Sequence, residues 1–275
     1  MKKALVILTP IFCAAGIALR ILFPETEEAN GMVLGGQHFS YVALLSIFAL
    51  LFALVTFIFS HKQKATEMHI GKTAGIVLFI AAVAVGFDAL VNLIENITSE
   101  VGIDIFPVCL SALEFISAII LVIFACSILT GFDFKYEKSL IFALIPLLWL
   151  LIKLSYEFLG YTRVANITEH YFPMLMSAGT VMFLLYYFKS AAKGFSASAS
   201  TVICLSLPAA FFSFVTVVPS VIKVFNETDI SFLDAVTGFD IACLLIGLFA
   251  FITSIKLAFS DKKRLQMMEE YDNEN

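Results

Sequence analysis

The sequence is poor in charge: only 14% of its 275 residues are Asp, Glu, Lys or Arg, where a soluble domain carries roughly a quarter. That shortage, with a mean hydropathy of +0.97, excludes a water-facing surface over most of the chain. Cysteine is sparse and scattered. Cys13, Cys109, Cys126, Cys204 and Cys243 sit singly inside apolar runs, with no C-x-x-C pair. Neither a disulfide framework nor a zinc site is expected, and each thiol reads as a small hydrophobe. The 14 glycines gather in no phosphate-cradling loop, and the chain lacks G-x-x-x-x-G-K-[ST], G-x-S-x-G, H-E-x-x-H and G-x-G-D. Those absences remove the common nucleotide-binding, serine-hydrolase and zinc-peptidase chemistries. The polar connections are too short to house an active site. The expectation is a protein that is not an enzyme and holds no cofactor or metal, with an intramembrane enzyme using paired carboxylates as the remaining catalytic alternative.

What is present is hydrophobic surface, 60% of all residues, in eight runs at about 4–23, 39–59, 73–94, 106–129, 139–159, 171–188, 199–223 and 235–257. A membrane helix needs about 20 apolar residues, so the expected fold is all-α, a polytopic transmembrane bundle of about eight spans in one membrane domain, 1–275. The first run follows Met1-Lys2-Lys3 but is longer than the apolar region of a signal peptide and lacks a small-x-small cleavage site after it. It is expected to be a retained span. Pro107 and Pro173 fall in first turns, where a missing N–H costs little. Pro10, Pro146, Pro208 and Pro219 fall inside spans, where neighbouring groups must satisfy the freed carbonyls. The seventh run holds two of them and is the candidate for a kink.

Basic residues set the orientation. Of 17 Lys and Arg, only Arg20, Lys153, Arg163 and Lys223 fall on the side opposite the N-terminus. Both termini are therefore expected in the cytoplasm, with the chain multi-pass in a bacterial plasma (inner) membrane. The two halves, 1–131 and 132–275, read as a possible 4+4 parallel repeat of the kind found in transporters. Gln37-His38-Phe39 answers Glu169-His170-Tyr171-Phe172, Glu114 answers Asp240, and Arg20 answers Lys153.

Charge inside a span is expensive and marks candidate function. Here it is confined to one layer. Asp88, Asn92 and Glu95 share one face of the third run; Lys153 and Glu157 stand a turn apart on the fifth; Glu114, Asp240 and Arg20 lie inside the fourth, eighth and first. All fall in the outer third of the bundle. Asp88, Asn92, Glu114 and Asp240 are the candidate ligands of a small cationic or polar solute, with Lys153, Glu157 and Arg20 as charge partners. Three cations, Lys223 included, face at least five anions. An acidic vestibule of this kind concentrates cations. The bland alternative is an ion-pair network that only sets helix register, in a sensor or accessory subunit that binds another membrane protein. Lipid is a partner on either reading; nucleic acid is not.

Three further features lead no further. His38 and His170 have no metal-binding spacing and read as interfacial anchors, and His61 and His69 read as solvated. The N-x-T triplets at Asn96, Asn166 and Asn226 are glycosylation acceptors in form, but the latter two have capping spacing to Glu169 and Asp229. The basic Lys262-Lys263-Arg264 is a stop-transfer flank, and the acidic tail beyond it reads as a frayed helix.

Overall fold

The computed structural model describes residues 2–22, 37–60, 71–98, 104–131, 136–161, 167–192, 199–226 and 236–274. They form eight α-helices: α1 (Lys2–Leu22), α2 (Gln37–Ser60), α3 (Lys72–Thr98), α4 (Ile105–Thr130), α5 (Tyr136–Tyr161), α6 (Ile167–Ala192), α7 (Ala199–Asn226) and α8 (Gly238–Glu274). No strand occurs among the described residues. Seven helices are long and apolar enough to cross a membrane, and α2 carries a shorter apolar stretch, Ala43–Ile58, among its described residues. The protein is thus a polytopic helical membrane bundle of about eight spans. Helix is the form such sequences must take, because hydrocarbon offers no partner for an unpaired backbone group.

The helices outrun the apolar runs that define them. The acidic tail is part of α8, which continues without a break to Glu274. Local signals place other ends. Asp104 caps α4 by accepting the Phe106 N–H at 3.1 Å. Gly131, at φ 69°, closes the same helix in the left-handed region that only glycine enters cheaply, donating its N–H to Ser127 O at 3.0 Å. Pro208 and Pro219 both lie inside α7, which is helical throughout. Asn226 is the last residue of α7; the segment it was expected to cap, like Asn166, His61 and His69, lies outside the described residues. Cys13, Cys204 and Cys243 are buried, whereas Cys109 and Cys126 are exposed on the outside of α4, so only the first three pack as core.

Small residues let the helices approach. A Cβ on Gly179 of α6 would stand 3.2 Å from the Ala209 backbone of α7, and one on Gly247 of α8 would stand 2.7 Å from Ser213 of α7. Such contacts also fix direction. Gly71, just before α3, backs onto Lys256 of α8, and Gly238 at the start of α8 backs onto Asp88 of α3, so α3 and α8 are antiparallel. Lys3 lies over the Phe259 ring at 5.7 Å, marking the end of the bundle that holds the N-terminus; the opposite end is called the far end below.

Helix contacts close a ring in the order α3, α4, α5, α6, α8 and back to α3. α7 packs behind α6 and α8 and also meets α1 and α2, while α2 touches only α1 and α7 among the described residues. The pairs α1–α2 and α3–α4 have counterparts in α5–α6 and α7–α8, whereas α6–α7 packing has no α2–α3 counterpart among the described residues. On the side of the ring towards the N-terminal end, aromatic side chains interlock. Phe183 and Tyr187 of α6 pack on Phe249 of α8 with centroids 5.8 and 5.1 Å apart, and Phe188 of α6 meets Phe124 of α4 at 4.8 Å. Phe183, Tyr187, Phe188 and Phe249 are all buried.

Candidate functional site

The site is built around one lysine. Lys153 lies two turns inside the C-terminal end of α5, and its Nζ is 3.3 Å from Asp88 Oδ2 of α3 and 3.3 Å from Glu114 Oε1 of α4. Both carboxylates are nearly sealed, at 6% and 2% exposure. One ammonium therefore ties three consecutive helices together. The same Asp88 oxygen accepts from Asn92 Nδ2 at 3.1 Å, an i, i+4 bond along α3 that holds the carboxylate in place.

The fourth wall is aromatic. Lys153 Nζ stands 3.9 Å from the centre of the Phe239 ring on α8 and 5.8 Å from that of Trp149, one turn back on α5. A cation over a ring face is attracted by its quadrupole. Trp149 meets Phe239 edge-on at 6.0 Å. The α5 and α8 backbones do not themselves approach within 8 Å among the described residues, so these long side chains span the interior of the ring. Trp149 is fully buried and its Nε1 has no hydrogen-bond partner among the described residues.

The start of α8 completes the arrangement. Thr237 and Asp240 form a reciprocal capping box: Asp240 N donates to Thr237 Oγ1 at 3.1 Å, and Asp240 Oδ2 accepts from Thr237 N at 3.0 Å and from its hydroxyl at 2.8 Å. Directly beside this first turn lies Asp88, so close that a Cβ on Gly238 would stand 2.6 Å from its Oδ1. Gly238 is required by that approach, and a carboxylate at a helix N-terminus is favourably placed. α3, α4 and α5 continue roughly 12–15 Å beyond this level at 1.5 Å per residue. The charged cluster therefore lies below the far ends of α3, α4 and α5 and level with the start of α8. Glu157 and Asp240 lie within electrostatic range of both Lys153 and Asp88. Among the described residues, two carboxylates thus contact the Lys153 ammonium and two more lie within its electrostatic range, although no three His, Cys, Asp or Glu converge closely enough to chelate a metal ion.

Arg20 belongs to a second node. Its Nη1 donates to Val215 O of α7 at 3.0 Å, and its guanidinium lies 4.8 Å from the Phe172 ring centre of α6. Val215 is four residues before Pro219, so its carbonyl is the one that Pro219 deprives of a helical N–H. Arg20 replaces that donor. Of the residues singled out from sequence, Asp88, Asn92, Glu114 and Lys153 meet directly, and Glu157 and Asp240 stand nearby. Glu95 is exposed at the far end of α3. Phe239, Trp149, Thr237 and Gly238 were not singled out. An aromatic or a glycine in an apolar run carries no signal of its own, although the T-x-x-D spacing at Thr237 was readable as a helix start.

Comparison of the chain with protein-family profiles, with characterised proteins and with solved structures gave no match.

Proposed function

We propose that the protein is a permease-like, solute-handling component of a bacterial plasma membrane. Its site for a small cationic or polar solute is the Lys153 cluster, reached from the outer face, with both termini in the cytoplasm. The observation that carries this reading is the charge imbalance at this level of the ring: among the described residues, buried Asp88 and Glu114 and half-buried Glu157 and Asp240 share one Lys153. Buried charge left uncompensated is costly, so the cluster attracts a further positive charge, a proton or a cationic solute. The interlocked Phe183, Tyr187 and Phe249 lie further along the same ring and serve as the closed inner side of an outward-facing site.

A second reading is favoured by the equal 3.3 Å distances from Lys153 to Asp88 and Glu114. These suit a permanent strut in an accessory subunit whose lipid-facing side chains, such as Phe48 and Leu51 of α2, meet another membrane protein. Native mass spectrometry of the purified protein separates the two. Solute handling requires a retained small molecule that is lost from Asp88→Asn while the fold persists. A bare chain, or a co-purifying protein without a small molecule, would count for the strut.

A further inference from the structure

The solute-handling reading leaves the chemical class of the solute open, and the surroundings of Lys153 narrow it. We infer that the site recognises a primary ammonium group, and that Lys153 occupies it as a tethered stand-in which a solute's own ammonium displaces. This inference rests on the proposal above.

The Lys153 Nζ sits in a complete set of ammonium contacts: Asp88 Oδ2 and Glu114 Oε1 each at 3.3 Å, and the Phe239 ring centre at 3.9 Å. An ammonium has three N–H donors and no acceptor. Two carboxylates from different helices and a π-face are a matched receptor for it, whereas an anion would be repelled and a neutral solute would leave the carboxylates bare. The receptor also selects among cations. Among the described residues no three carboxylate, imidazole or thiolate groups chelate, which disfavours a divalent metal; the Phe239 and Trp149 faces reward a cation joined to carbon. A quaternary ammonium has no N–H for the two carboxylates and fits less well than a primary one.

Two observations make Lys153 a displaceable occupant. The first is reach. Lys153 hangs from a helix whose backbone does not come within 8 Å of α8 among the described residues, and it meets Phe239 only through its own side chain, on a flexible four-carbon stem. The second is surplus charge. Glu157, one turn further along α5 towards its end, lies in the electrostatic field of Lys153 and offers the ammonium a second partner once it leaves Asp88 and Glu114. Withdrawal of Lys153 towards Glu157 would open the carboxylate pair without stranding the lysine.

The single tryptophan of the chain is Trp149, and its position beside Lys153 makes its emission a reporter of this site alone. Purified full-length protein is titrated with n-propylammonium, with tetramethylammonium and sodium as controls at matched ionic strength. The expected result is a saturable change in Trp149 emission with n-propylammonium and none with either control. In Lys153→Ala the same amine is expected to bind about tenfold tighter or better, because the competing occupant no longer reduces the open fraction. No saturable response in the wild-type protein, or an equal response to sodium, would overturn the inference. A response confined to Lys153→Ala would also overturn it, by showing that the cage fits an ammonium but never exchanges its lysine. If a small molecule is retained in native mass spectra yet n-propylammonium fails to displace it, the class is wrong and solute handling survives. If nothing is retained, solute handling itself fails.

Discussion

The Lys153 ammonium of α5 stands 3.9 Å from the centre of the Phe239 ring of α8, joining two helices whose backbones do not approach within 8 Å among the described residues. That contact, with the 3.3 Å pairs to Asp88 and Glu114, makes Lys153 a residue that reaches three other walls of the ring. Its loss is therefore expected to be worse than the loss of either carboxylate. Lys153→Met leaves buried anions unpaired, at a cost of roughly 3–5 kcal/mol. Asp88→Asn and Glu114→Gln each leave the lysine one carboxylate and are expected to cost less, about 1.5–3 kcal/mol, the net value of a hydrogen bond to a charged group. Thermal unfolding of the three variants in detergent checks the order. Equal losses would contradict a lysine-centred cluster.

Gly238 offers a test with an unusual sign. An alanine in the first turn of a helix ordinarily stabilises by about 0.4–1 kcal/mol relative to glycine. Here its methyl would meet Asp88 Oδ1 at 2.6 Å and Cβ at 2.8 Å. Gly238→Ala is expected to destabilise by about 1–3 kcal/mol through overpacking. It should also weaken the coupling between Asp88 and Lys153 in a double-mutant cycle. A neutral or stabilising Gly238→Ala would show that α8 does not start against Asp88.

Arg20 and Pro219 form a coupled pair through the Val215 carbonyl. Arg20→Met removes the donor and leaves that carbonyl unsatisfied, costing about 1–3 kcal/mol. Pro219→Ala restores a backbone N–H four residues after Val215, so the Arg20→Met/Pro219→Ala double variant is expected to recover part of that loss. Additive effects of the two changes in unfolding measurements would separate the arginine from the proline.

Much of this architecture was legible before any coordinates. Eight apolar runs become eight helices, because length and hydropathy leave a membrane chain no other way to satisfy its backbone. The grouping of Asp88, Asn92, Glu114 and Lys153 was visible because charge in a span must find partners and all four lay at one depth. The partition of the cations was not. Arg20 and Lys153 look equivalent in sequence, yet one serves a proline-freed carbonyl on α7 and the other a carboxylate pair. That difference depends on which helices are neighbours, which apolar runs do not encode. The role of Phe239 was hidden for the same reason, since an aromatic face becomes a cation partner only when another helix delivers the cation. The 4+4 repeat remains a proposal; superposing residues 1–131 on 132–275, with Glu114 and Asp240 brought within about one helical turn of 5.4 Å, is its measure.

Topology is open to a separate experiment. Reporter fusions after residues 60, 132 and 190 and at the C-terminus are expected to be cytoplasmic, and a fusion in the 99–103 segment external, in keeping with the distribution of lysine and arginine. A cytoplasmic signal from 99–103 would reverse the side from which the Lys153 cluster is approached.

The central claim is that the Lys153 cluster is a site reached from the outer aqueous face and not a sealed strut, and water access decides it. Asn92 adjoins Asp88 and is half-buried, which makes Asn92→Cys the probe, placed in a background lacking the five native cysteines. Labelling of intact cells with a membrane-impermeant, positively charged thiol reagent is predicted to modify this cysteine, and n-propylammonium is predicted to slow the modification. A cysteine at 92 that stays unmodified in folded protein, and reacts only after denaturation, would contradict the account.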